Sequence, residues 1–272
     1  EEGTIRKNLI DNNNIDTVIG LPANIFFGTG IPTIIMVLKQ RRSNTDVLIV
    51  DASKGFEKVG KNNKLRSSDI KRIVDVVLHR ETVDKFSKLV TRDEIRSNDY
   101  NLNIPRYVDS SEKAESWDIY ASMFGGVPAA EVEDLGAYWD AFPVLKSALF
   151  SDLGSEYLHF GVANIQKAVE EHGDIRTFEG MFDTAFASFD TVLYRELLGD
   201  VQSVNVSKEE SVLASQIFER LAGIPLVDQY EAYQLLDNEW TRIAVDLEIV
   251  QTEGFEAVKK VDPNMEKIRQ NI

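Results

Sequence analysis

Residues 18–39, VIGLPANIFFGTGIPTIIMVLK, admit few conformations. Asp16 to Gly20 reads as a short apolar strand. Leu21 to Gly30 holds a proline, two glycines and two adjacent phenylalanines, which is loop chemistry. Ile31 to Leu38 is an unbroken apolar run, the pattern of a strand buried on both faces. Pro32 fits only near the start of that strand, because it has no N–H to give to a ladder. A strand, an irregular loop and a second strand therefore form the centre of the front part. The pair Phe26-Phe27 is the unusual element. Two aromatic rings on a loop at the end of core strands either fold back as plugs of the core or serve as a stacking platform for a flat ligand such as a base.

The flanking sequence extends this into an α/β pattern. Thr4 to Asp11 is expected as a helix with Ile5, Leu9 and Ile10 on one side, ended by Asn12-Asn13-Asn14. Lys39, Arg41 and Arg42 make a basic turn, and Asp46 to Val50 is a further strand closed by Asp51. Ser53 to Lys64 has glycines and lysines but no apolar period, so it reads as a solvated surface loop or as a phosphate contact. No G-x-x-x-x-G-K-[ST] phosphate loop is present. Ser67 and Ser68 are expected to cap a helix bearing Ile70, Ile73, Val74, Val77 and Leu78 on one face. Phe86 to Val90 is a candidate strand, Thr91 to Glu94 a capping box, and Asn98 to Val108 an extended segment.

Ser110 to Ser116 is polar and reads as a linker, dividing an α/β part, 1–109, from a mostly α-helical domain, 110–272. In the second part Pro128 stands at a helix start. Further helices are expected over Val162–Glu171 and Ile175–Leu198. One opens at the box Ser207/Glu210, and the longest runs from Asp228 to Val250. The aromatic stripes on these helices have the spacing of core packing or of a face that docks partner helices.

Charge separates the two parts. The net charge is −15; residues 1–110 hold 18 basic and 15 acidic side chains, and residues 111–272 hold 12 basic and 30 acidic. Phosphate repels such a back part, so any contact with DNA belongs to the front. The absence of cysteine excludes disulfides and thiolate metal sites and fits a cytoplasmic protein. No apolar run is long enough to span a bilayer, so no membrane association is expected. His79, His159 and His172 are not spaced as metal ligands, and no G-x-S-x-G nucleophile elbow occurs. No metal site and no catalytic residue is assigned in the chain.

The strings RKNLIDNNNIDTVIGLPANIFFGTGIPTIIMVLK, DVLIVDAS and NDYNLNIPRYV resemble the modification subunit of type I restriction-modification systems, adenine-N6 DNA methyltransferases that use S-adenosylmethionine. The resemblance covers about residues 3–108. It implies that the front part holds the C-terminal strands of a methyltransferase Rossmann-like sheet. Phe26, with Phe27 as the alternate, matches the aromatic that packs on the flipped adenine. Extrusion of that base is required because its amine is inaccessible in the stacked duplex. Lys39, Arg41, Arg42, Lys61 and Lys64 are candidate contacts to the DNA backbone.

The family's Gly-rich donor turn and its N-P-P-aromatic motif are absent from these residues. The resemblance thus implies a chain that is inactive by itself and binds no S-adenosylmethionine alone, although the parent protein uses it. The chain opens at Glu1 directly into a helix, as expected of a piece of a longer polypeptide. An uncovered sheet edge is expected to favour a homodimer or aggregation. The implied partners are the specificity subunit, the restriction subunit and double-stranded DNA. The alternative is a non-enzymatic helical assembly module that binds the specificity or restriction subunit.

Overall fold

The computed structural model describes residues 2–111, 117–199, 201 and 203–258. The chain divides into two compact units, Glu1–Ala114 and Glu115–Ile272. Residues 112–116 of the expected linker lie outside the described residues.

In the first unit the order is α1 (Glu2–Asp11), β1 (Ile15–Gly20), β2 (Ile34–Leu38), β3 (Val47–Asp51), β4 (Glu57–Val59), β5 (Asn62–Lys64), α2 (Ser67–His79), β6 (Ser87–Val90) and α3 (Arg92–Ser97). Four strands form one mixed sheet in the order β2-β1-β3-β6. β1 and β3 are parallel, with Gly20 beside Asp51; β2 and β6 are antiparallel to their neighbours. β3 is buried along its whole length because both faces are covered. Val47 and Ile49 meet Ile10 of α1, Ile95 of α3 and the turn at Ile104; Leu48 and Val50 meet Ile73 and Val76 of α2. Successive side chains of a strand point to opposite faces, so one apolar run serves two cores.

Several expectations are corrected here. The run Ile31–Leu38 is not a strand buried on both faces. It yields β2, an edge strand that among the described residues pairs with β1 alone, and Ile34, Ile35, Met36 and Leu38 are exposed. An apolar run specifies a strand but not its place in the sheet. The segment Ser53–Lys64 is not irregular: β4 and β5 make a two-residue hairpin whose turn has Gly60 at φ 62°. Glycine adopts that left-handed value without the Cβ clash.

Helix α2 is capped by neither Ser67 nor Ser68. The Arg66 N–H donates to the Asp69 carboxylate (2.9 Å), and Ser68 is buried. Its buried face is Ile73 and Val76, while Ile70, Val74 and Leu78 are exposed. Ile5 of α1 is exposed as well. The segment expected to be extended contains a 3₁₀ turn, Ile104–Arg106, which buries Ile104, Tyr107 and Val108.

The second unit is mostly helical, with its main helices over Gly173–Phe186, Val206–Leu221 and Gln229–Glu253. Its sequence periodicity hid a small sheet made by Val127–Pro128, Tyr157–Phe160 and Phe150–Ser151. The helix expected over Ile175–Leu198 is interrupted after Phe186, resumes over Phe189–Leu193 and ends in a π-turn, Tyr194–Leu198. Asn205, not Ser207, caps the helix that follows, accepting from the Lys208 N–H at 3.0 Å. Trp240, Leu247 and Val250 of the longest helix are buried with Leu213, so that part of the aromatic stripe is core.

Candidate nucleic-acid interface

β1 and β3 run in the same direction and end together at Gly20 and Asp51. In open α/β sheets the carboxyl ends of parallel strands are where ligands bind, because the chain diverges there and leaves a crevice. Gly20 leaves room at this end: a Cβ on it would lie 2.6 Å from Ile104 Cδ1, so a larger residue would displace the tip of that side chain. Leaving β1, the chain enters the loop 21–30. The loop is closed at its base by the Leu21 N–H donating to the Thr33 carbonyl at 2.8 Å. Asn24 is left-handed (φ 56°), and Ile25 turns inward to pack against Leu48, Val50 and their neighbours.

Phe26 and Phe27 follow immediately, 53% and 95% exposed. Of the two readings of this pair, the core plug is excluded; Ile25 fills that role. At the base of the loop lies an open cleft of about 360 Å³, walled by Leu21, Pro32, Ile34, Asp51 and Ile104.

Asp51 has no counterpart among the residues singled out from the sequence. It is almost fully buried, and its carboxylate accepts from the Ser110 hydroxyl (2.6 Å) and the Ser53 N–H (3.0 Å). Burial pushes its pKa up; the hydrogen bonds from Ser110 and Ser53 and the nearby Lys54 ammonium outweigh that and hold it below the ordinary carboxylate range. The only signal in the sequence was an aspartate closing an apolar run. Its partner Ser110 is 59 residues away and could not be inferred.

The five candidate basic residues fall in two places. Lys61 lies in the hairpin turn and Lys64 on β5, 3.5 Å from Glu57. The hairpin is tied to the phenylalanine loop through Asn63, so these two share the carboxyl end of the sheet with the rings. Lys39, Arg41 and Arg42 are at the opposite end, where Leu38 pairs with Ile15, about 17 Å away by strand rise.

Arg42 is built into the fold. Its side chain is 3% exposed, sits 2.9 Å from the Asp16 carboxylate, and donates to the carbonyls of Ile15 and Asp46. No face of that guanidinium is left for a phosphate, which corrects its reading as a backbone contact. Lys39 (2.8 Å) and Arg80 (2.9 Å) complete the cations around Asp16; Arg41 is exposed. Among the described residues no cluster of His, Asp or Glu is arranged to hold a metal ion, and no helix is long and apolar enough to cross a membrane.

The matches to known proteins fall in the front part of the chain. Residues 1–116 match the N-6 DNA Methylase family. Over 120 residues this stretch is 42% identical to the type I restriction enzyme MpnII methylase subunit of Mycoplasma pneumoniae, covering 44% of this chain and 22% of that one. The MjaVII methylase subunit of Methanocaldococcus jannaschii is 36% identical over 125 residues, again 44% and 22%. A solved type I restriction-modification methyltransferase subunit from Streptococcus thermophilus is 54% identical over 40% of this chain and 23% of its own, with a TM-score of 0.40. The match to the two curated relatives thus spans about a fifth of their length. The methylase-like stretch includes the phenylalanine loop, the hairpin and Asp51.

Proposed function

We propose that this chain contributes the target-base side of a type I adenine-N6 DNA methylase. The reading rests above all on the exposure of Phe26 and Phe27, two solvent-facing rings on the loop that leaves the carboxyl end of a parallel strand pair and whose base lines an open cleft. Phe26 packs on the extruded adenine, with Phe27 as the alternate. Lys61 and Lys64 on the adjacent hairpin contact the backbone of double-stranded DNA; Lys39 and Arg41, a strand length away, are peripheral contacts. The methyl donor of the parent protein is S-adenosylmethionine. This chain has neither the Gly-rich donor turn nor the N-P-P-aromatic motif, so it neither binds the donor nor methylates by itself. Sequence recognition belongs to a specificity subunit, cleavage to a restriction subunit, and the complex works in the cytoplasm, where its DNA is.

The decisive measurement is methylation by the complete subunit assembled with its specificity subunit. Stacking on an aromatic contributes about 1–3 kcal/mol per base, so Phe26→Ala is expected to lower the rate roughly 5- to 150-fold. Unchanged methylation in both Phe26→Ala and Phe27→Ala rejects the stacking role.

One observation favours the second reading, a helical assembly module. In the acidic unit Trp117, Ile119, Met123 and Phe124 are all exposed on and beside one short helix. Buried aromatic anchors dominate protein interfaces. Retention of the chain by an immobilised specificity subunit, lost in Trp117→Ala/Phe124→Ala, is the expected outcome for such a module.

A further inference from the structure

Asn63 holds the phenylalanine loop and the hairpin together. In the β4–β5 ribbon Lys58 is opposite Asn63 and Val59 opposite Asn62, so Lys58 and Asn63 share one face. On the outer edge of β5 the Asn63 N–H donates to the Asn24 carbonyl at 2.9 Å. Its side-chain Nδ2 donates to the Ala23 carbonyl at 2.8 Å. Two consecutive loop carbonyls thus depend on one residue 40 positions downstream of the first.

The side-chain bond requires an amide of this length. An aspartate would present only acceptor oxygen to the Ala23 carbonyl, and a serine is shorter. Among the described residues the other restraints on the loop are the bond closing its base, the buried Leu21 and inward Ile25, the Ile31 N–H to Thr29 hydroxyl bond at 3.3 Å, and a long Thr29 N–H to Phe26 carbonyl contact of 3.4 Å.

We infer that Asn63 is a positioning residue that fixes the spacing between the lysines of the hairpin and the rings of Phe26 and Phe27, so that backbone contact and base contact are made in one register. The bracing itself stands on the hydrogen bonds alone; its use rests on the base-stacking reading proposed above.

The test uses the whole 272-residue chain. Asn63→Asp keeps the size of the side chain and removes the donor; Asn63→Ala removes both. Amide hydrogen exchange read by mass spectrometry is expected to quicken over 21–33 in both variants, with β3 and α2 unchanged. Exchange over 21–33 that stays at its original rate overturns the bracing, whatever happens with DNA.

The second arm measures affinity for a short duplex carrying one unpaired adenine and for its fully paired counterpart. Loss of one such hydrogen bond is expected to weaken binding to the first about fivefold in Asn63→Asp, with the paired duplex unaffected. In the Phe26→Ala background, Asn63→Asp is expected to add nothing. Equal losses on both duplexes, or additive losses, overturn the coupling to the rings. Phe26→Ala binding both duplexes like the unaltered chain overturns base stacking while leaving the exchange result to decide the brace.

Discussion

Asp16 shows how a single carboxylate can organise the front unit. It is 2% exposed on β1 and is met by Lys39 and Arg42 from the turn after β2 and by Arg80 from the end of α2. Burial pushes its pKa up, but the hydrogen bond from Lys39 and the charges of Arg80, Arg42 and Lys39 outweigh that, and the net shift is downward. Removing one partner from a buried ion cluster leaves the others desolvated and uncompensated, which costs about 3–5 kcal/mol. Asp16→Asn is expected to lower the unfolding free energy of the front unit, read from urea melts, by an amount of that order. The sign with pH follows from the depressed value. The carboxylate's stabilisation is complete above the unfolded-state pKa of about 4 and is lost as pH falls through the lower folded-state value. The original chain should therefore lose stability in acid more steeply than Asp16→Asn, as urea unfolding at a series of pH values from neutral downward will record.

At the scale of elements, β2 is the liability of the fold. Its outer edge is unpaired among the described residues, and Ile34, Ile35, Met36 and Leu38 expose both of its faces. An apolar strand with open N–H and C=O groups is a template for another strand. Ile35→Lys is expected to reduce self-association in light scattering while changing stability by less than about 0.5 kcal/mol, because the site is already exposed. Unaltered association would place the contact elsewhere. The same strand marks the limit of what the sequence conveys. TIIMVLK and DVLIVD look alike, yet β3 is covered on both faces and β2 on almost none, because position in a sheet is set by partners and not by hydropathy. Local signals transferred unevenly: Thr91 caps α3, accepting from the Glu94 N–H at 3.2 Å, whereas the caps expected at Ser67/Ser68 and at Ser207 fall on Arg66 and Asn205. The exposed phenylalanines were legible as an anomaly of composition. Asp51 with Ser110, Asn63 with Ala23, and Asp16 with Arg80 were not, since each pair is joined across 40 or more residues.

At the scale of the whole molecule, charge decides where the proposed contact with nucleic acid can lie. The front residues 1–110 are nearly balanced, and the remainder carries 30 acidic against 12 basic side chains. Such a chain is repelled by DNA as a body and is attracted only where lysines are gathered. In the front unit the hairpin gathers Lys58, Lys61 and Lys64 next to the phenylalanine loop, whereas Arg42 is buried against Asp16 and Lys39, though half exposed, is paired with it. Each phosphate neutralised on duplex DNA releases counterions and adds about −0.9 to the slope of log K against log salt. Lys61→Ala and Lys64→Ala should each flatten that slope by nearly one unit in fluorescence anisotropy between about 50 and 200 mM salt, with little dependence on sequence. Arg41→Ala, at the far end of the sheet, should change the slope less than either. A slope indifferent to both hairpin lysines but sensitive to Arg41 would move the backbone contact to the opposite end of the sheet. The rings of Phe26 and Phe27 would then be a strand length from the DNA they are proposed to engage, so this one comparison tests the placement of the interface as well as its charge.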